Sequence, residues 1–111
     1  MLIFLTSHAT PDQISQAALD LDGYVKFVVD LNREVMTIGG TRHMDGEQLL
    51  LQDGSHQSDL WGGGVDLETK QIDFESMINI RPTQNNPSRE VLDTGLRSQI
   101  QEVISQLFIK L

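Results

Sequence analysis

Residues 24–40, YVKFVVDLNREVMTIGG, decide the fold class. Val25, Phe27, Val29 and Leu31 alternate on one face, with Tyr24, Lys26, Val28 and Asp30 between them. Period-two hydrophobicity is the mark of a strand with one core face, because successive side chains point to opposite sides of a sheet. Asn32-Arg33 then reads as a tight turn and 34–40 as the return strand, stopped by Gly39-Gly40. A turn without glycine specifies register weakly. A hairpin of this kind implies antiparallel pairing, so the rest of the chain must be fitted around it.

Upstream, residues 2–5 (LIFL) fit a short buried strand. Thr10-Pro11-Asp12-Gln13 reads as a helix start: Thr10 as N-cap, Pro11 at the first helical position, Gln13 closing a capping box. Ile14, Ala17, Ala18 and Leu21 follow at helical spacing up to Gly23. Downstream, a short helix capped by Asp45 carries Leu49, Leu50 and Leu51 and ends at Gly54. A second hairpin follows. Its first strand, LWGGGVDL (60–67), is interrupted by three glycines, which signals a bulge or a close backbone approach.

Glu68-Thr69-Lys70 turns the chain into 71–80, where Ile72, Phe74, Ser76, Ile78 and Ile80 share one face. Gln71, Asp73, Glu75, Met77, Asn79 and Arg81 share the other. Asp93 or Thr94 caps a last helix with a stripe of Leu96, Ile100, Val103, Ile104, Leu107, Phe108 and Leu111. The order β-α-β-β-α-β-β-α predicts a single α+β domain over residues 1–111. It consists of a mainly antiparallel sheet of two hairpins plus the N-terminal strand, covered on one face by helices.

Composition narrows function mainly by exclusion. With 16 acidic against 8 basic residues the net charge is −8, which repels a phosphate backbone and argues against nucleic-acid binding. There is no cysteine, hence no thiolate chemistry and no disulfide. The N-terminus shows no basic start, and after Met1 its apolar run is only the four residues LIFL (2–5). A signal peptide needs roughly 7–15 and a membrane span roughly 20. The expectation is a cytoplasmic protein with no membrane segment.

Three stretches carry a resemblance: YVKFVVDL (24–31), EVMTIGGTRHMDGEQLLLQDGSHQSDLWG (34–62) and FESMINIRPTQNNPSREVLD (74–93). Together they resemble a small family of uncharacterised prokaryotic proteins, a domain of unknown function. Its two motif blocks run M-IGG-H-D-E-LLL-GS-Q-DLWG and F-S-INIRP-N-S-D. The resemblance implies an intact domain and carries no catalytic residue or cofactor with it.

The loop after the predicted strand 71–80 concentrates Asn79, Arg81, Asn85, Asn86, Ser88 and Arg89 between or beside two prolines. Guanidinium forks suit planar or tetrahedral anions, and Asn and Ser add directional hydrogen bonds. The competing explanation is a loop that satisfies its own backbone. Trp61, beside the glycines, could floor a ligand pocket or simply lie in the core. His43 and Asp45 are the candidate metal ligands, but they fit no HExxH-type spacing and no metal or other cofactor is assigned. Asp73 and Glu75, roughly 7 Å apart along one strand face, could share acid and base roles if buried.

The leading expectation is a soluble domain that binds a partner protein or a small anionic ligand through residues 79–89. The alternative is a hydrolase on a phosphorylated or nucleotide substrate, possibly metal-dependent, using Asp73/Glu75 or His43/Asp45 with Arg81 as anion clamp. A third reading is a subunit of a homo-oligomer.

Overall fold

The computed structural model describes residues 1–111. Five antiparallel strands, β1 (Ile3–Leu5), β2 (Tyr24–Asp30), β3 (Val35–Ile38), β4 (Leu60–Asp66) and β5 (Ile72–Asp73), form one sheet in the order β1-β3-β2-β4-β5. The α+β class expected from the hairpins is the class observed. The expected hairpin β2–β3 is present, with Val29 opposite Met36 and Asp30 opposite Val35.

Its glycine-free turn is held by a buried carboxylate. Asp30 Oδ1 accepts from the backbone N–H of Asn32 and Arg33, both at 2.9 Å, and Oδ2 accepts from Ser55 Oγ at 2.6 Å. Arg33 completes the arrangement by donating to Ser55 Oγ at 2.8 Å and to Asp53 at 2.6 Å. Asp30 has no exposed surface, so its charge is compensated by hydrogen bonds rather than water. The strand therefore ends at Asp30, one residue before the alternation predicts.

Helix α1 (Pro11–Ala18) begins with the predicted capping box. Thr10 Oγ1 accepts from Gln13 N at 3.2 Å, and Gln13 Oε1 accepts from Thr10 N at 3.0 Å. Helix α3 (Thr94–Leu107) is capped by Asp93, which accepts from Leu96 N at 2.8 Å. Its Ile100, Val103, Ile104 and Leu107 pack with Phe108 and Ala17 against Val25, Phe27, Val29, Met36 and Ile38 of the sheet. Burial of each such aliphatic side chain is worth about 1.5–3 kcal/mol, so this layer dominates stability.

Helix α2 (His43–Gln52) lies on the opposite face. Leu50 packs there with Val28, Val35 and Leu60. The expectation of one helix-covered face thus describes α1 and α3, and α2 adds a second, smaller layer. Contact is close because Gly46 has no side chain: a Cβ there would strike Thr37 Oγ1 and come within 3.1 Å of Val28. The helix also begins earlier than predicted. Arg42 is its N-cap, without a side-chain cap bond, and Asp45 sits in the first turn facing Arg42 at 3.1 Å. Of the three leucines only Leu50 is buried.

The largest departure is at 71–80. Pairing stops at Asp73, and the chain leaves the sheet through short 3-10 turns at Met77–Asn79 and Pro82–Gln84. Residues 74–91 form a closed loop, fastened by Ser76 N to Arg89 O at 3.1 Å and Val91 N to Phe74 O at 3.0 Å. The physical reason is a side chain that stands in for a strand. Asn79 Oδ1 accepts from Gly62 N, and its Nδ2 donates to Gly62 O, both at 2.9 Å. Gly62 on β4 therefore has its backbone partners without a continuing ladder.

Candidate functional site

The polar loop is mostly occupied by its own architecture. The two Nδ2 hydrogens of Asn79 are shared among the carbonyls of Gly62, Phe74 and Arg89, and those of Asn86 among the carbonyls of Asn79, Ser88 and Glu90, while Asn86 Oδ1 accepts from Leu92 N. Both amides are buried. Arg81 is 7 % exposed, donates to the carbonyls of Gln57 and Leu60, and stacks over Trp61 at 3.9 Å from the ring centroid. Trp61 is 2 % exposed and belongs to the core cluster. Neither of that pair opens to a ligand. Asn85 turns the exposed chain at φ +60°, and Ser88 Oγ accepts from Glu90 N at 3.1 Å. Only Arg89 projects an unengaged charge.

Arg89 lies on a groove formed elsewhere. β4 carries glycine at three successive positions, and the β2–β4 register runs unbroken through them from Tyr24–Asp66 to Asp30–Leu60. No bulge forms; the glycines serve close approach. Gly63 faces Phe27 and the Asp73 carbonyl, while Gly64 lies directly under the Tyr24 ring. At Gly62 a Cβ would stand 2.9 Å from Ser76 Cβ and 3.0 Å from His43 Cδ2. The missing side chains thus let Tyr24, His43 and Ser76 converge on the backbone of β4.

These three, with Lys26, Asp73, Glu75, Met77 and Arg89, line a groove of about 260 Å³. It adjoins a second compartment of about 500 Å³, which shares Lys26, His43, Ser76 and Met77 and is completed by Arg42, Met44, Glu47 and Ile78. Tyr24 Oη donates to Asp73 Oδ2 at 2.5 Å. Burial, reinforced by that bond, pushes the Tyr24 phenol well above its ordinary range, so it stays protonated and orients the carboxylate. Asp73 Oδ1 accepts from Glu75 N at 3.1 Å.

His43 Nε2 lies 2.7 Å from Gly63 O. A carbonyl only accepts, so Nε2 carries the proton and Nδ1 keeps its lone pair. Burial pushes the His43 pKa below its usual value, with the Gly63 bond acting in the opposite direction. The ring is therefore neutral at physiological pH, able to accept a hydrogen bond. Lys26 Nζ donates to Thr41 O at 3.0 Å and has two hydrogens left.

Of the residues singled out from sequence, His43, Asp73, Glu75 and Arg89 come together. Asp45 does not; it faces Arg42 outside this cluster. No group of three or more His, Asp and Glu side chains stands ready to hold a metal ion. Tyr24, Lys26, Ser76 and Met77 are the residues of this groove that sequence reasoning did not place in a site. The signal for the first two is the alternation itself, which puts them on the face away from Val25 and Phe27.

A family model described as a protein of unknown function, DUF5674, matches residues 3–107. The chain belongs to the DUF5674 family. No curated protein and no solved structure gives a significant match. Membership agrees with the expected resemblance to a domain of unknown function. In this chain both stretches reach the groove: 34–62 contains His43 and Gly62, and 74–93 contains Glu75, Ser76, Met77 and Arg89.

Proposed function

We propose that this domain binds an anionic group, on a small ligand or on a partner protein, in the groove between the first turn of α2 and residues 73–77. Lys26 and Arg89 supply the charge, and Ser76 and His43 fix orientation. One observation carries this reading: among the five arginines, Arg89 alone has a guanidinium with no ion pair or hydrogen bond, and it faces the same groove as Lys26. An unpaired guanidinium near an ammonium is the ordinary recognition device for carboxylate or phosphate. We place the domain in the cytoplasm, a setting supported by its cysteine-free, acidic composition. No helix is long and apolar enough to cross a membrane.

Calorimetric titration with phosphate, sulfate and acetate tests it. A hydrogen bond to a charged group is worth about 1.5–3 kcal/mol, so Lys26→Ala and Arg89→Ala should each weaken binding roughly tenfold or more. Affinities unchanged in both variants, or no heat with any of the three anions, would end the reading.

Hydrolysis of a phosphorylated or nucleotide substrate is the second reading. It is favoured by a neutral His43 and an oriented Asp73 carboxylate lining one groove, either of which could serve as general base to an attacking water. Arg81, the clamp expected from sequence, is enclosed, so Lys26 or Arg89 would hold the phosphate. Turnover of p-nitrophenyl phosphate or a nucleotide that is lost in His43→Ala supports it; a panel without turnover sinks it.

A further inference from the structure

Four charged side chains of both signs, Lys26, Asp73, Glu75 and Arg89, line the 260 Å³ groove. None of them is in an ion pair within 4.0 Å, although the chain does form such pairs at Arg33–Asp53, Arg42–Asp45, Arg97–Glu90 and the N-terminus–Asp20. Two cations and two anions thus share one small concavity without neutralising each other. Asp73 is fixed by Tyr24 and by the Glu75 backbone, while the Glu75 carboxylate and Arg89 guanidinium have no partner at all.

Such a set discriminates. A simple anion entering it gains from Lys26 and Arg89 but also meets Asp73 and Glu75, so it binds less tightly than it would to the two cations alone, and a simple cation meets the reverse. A ligand with a carboxylate and an ammonium held close together gains from both pairs. The adjoining compartment of about 500 Å³ shares Lys26, His43, Ser76 and Met77 with this groove and has Met44, Met77 and Ile78 as its apolar lining. Met44 and Met77 are 55 % and 66 % exposed, and flexible thioethers at such a rim close on apolar groups of varied shape.

We infer that the groove takes a free α-amino acid with an apolar side chain. Its carboxylate would meet Lys26 and Arg89, its ammonium Glu75 and Asp73, and its side chain Met44, Met77 and Ile78. This rests on the anion-binding reading and adds the ammonium and the apolar part to it.

The test is calorimetry with four probes: L-methionine, N-acetyl-L-methionine, L-methioninamide and glycine. Methionine should bind at least tenfold more tightly than each of the other three, which lack the ammonium, the carboxylate or the side chain. Glu75→Gln should reduce methionine to the affinity of N-acetyl-methionine. Met77→Gln should weaken methionine severalfold and leave glycine unchanged. All these positions are exposed, so the variants fold. N-acetyl-methionine binding as tightly as methionine overturns the amino-acid inference while leaving anion binding in place. No binding of methionine, together with none of phosphate or acetate, overturns both. Methionine binding that survives Glu75→Gln and Arg89→Ala unchanged lies elsewhere on the chain and also overturns the inference.

Discussion

The side-chain amide of Asn79 pairs with the backbone of Gly62 as a neighbouring strand would, donating to its carbonyl and accepting from its N–H at 2.9 Å in both directions. One residue thereby terminates β5 after Asp73, releases residues 74–91 as a loop, and presents Glu75, Ser76 and Arg89 at the groove. Asn79 has no exposed surface, so these bonds face no competition from water.

Replacing Asn79 removes several partners at once. Each buried backbone group left unsatisfied costs about 1–3 kcal/mol, so Asn79→Ala should destabilise the fold by at least about 2 kcal/mol. Asn79→Asp keeps the acceptor for Gly62 N but loses every donation and should be comparably damaging. Urea unfolding followed by circular dichroism measures both; a loss under about 0.5 kcal/mol for either would refute the strand-substitute role.

Gly64 and Tyr24 form a pair whose sizes are coupled. Gly64→Ala places a methyl into the Tyr24 ring and should cost about 1–3 kcal/mol through overpacking. The same substitution in a Tyr24→Ala background should cost under about 1 kcal/mol, because the obstruction is gone. A double-mutant cycle reads this coupling directly; strict additivity would show that the ring is not what requires glycine.

Asp30 closes a hairpin turn from a fully buried position. Asp30→Ala strands the N–H groups of Asn32 and Arg33 and the Ser55 hydroxyl, with an expected loss of about 3 kcal/mol or more. Thermal denaturation at pH 7 detects it. Ser55→Ala, which removes one of the three donors, should cost less than Asp30→Ala.

His43 sets a pH dependence with a definite sign. Its folded pKa lies below 6.5, so the unfolded chain binds the proton more readily. Stability from this group is fully present above pH 6.5 and is lost as pH falls through the folded value. Proton NMR of the ring should give a titration midpoint below that of an exposed histidine. His43→Gln should flatten the decline of stability in that window. A midpoint at or above 6.5 contradicts the buried neutral ring bonded to Gly63.

Arg81 separates architecture from binding. Arg81→Lys cannot reproduce a planar fork that reaches two carbonyls and stacks on Trp61, and should lower stability by about 1–2 kcal/mol. Anion affinity should stay within about twofold, whereas Arg89→Ala should do the opposite. Chemical denaturation and calorimetry on the same samples distinguish the two arginines.

Local chemistry determined much of this molecule. The capping box at Thr10 and Gln13, the Asp93 cap, the β2 alternation and the apolar stripe of α3 each depend on residues a few positions apart, so the sequence contains all the interacting parts. That is why the α+β class and all three helices were legible. The pattern at 71–80 misled for the opposite reason. Its alternation is real, but the partner that ends the strand is Gly62, 17 residues from Asn79 along the chain. The site followed the same division. Arginines 81 and 89 look equivalent in sequence, and only packing against Trp61 encloses one and leaves the other free. Tyr24, Lys26, His43, Asp73 and Arg89 are scattered over the chain, and they meet because β2 pairs with β4 across side-chain-free glycines. Which strand lies beside which is set by the global packing of two apolar faces, and that is decided only when the whole chain has folded.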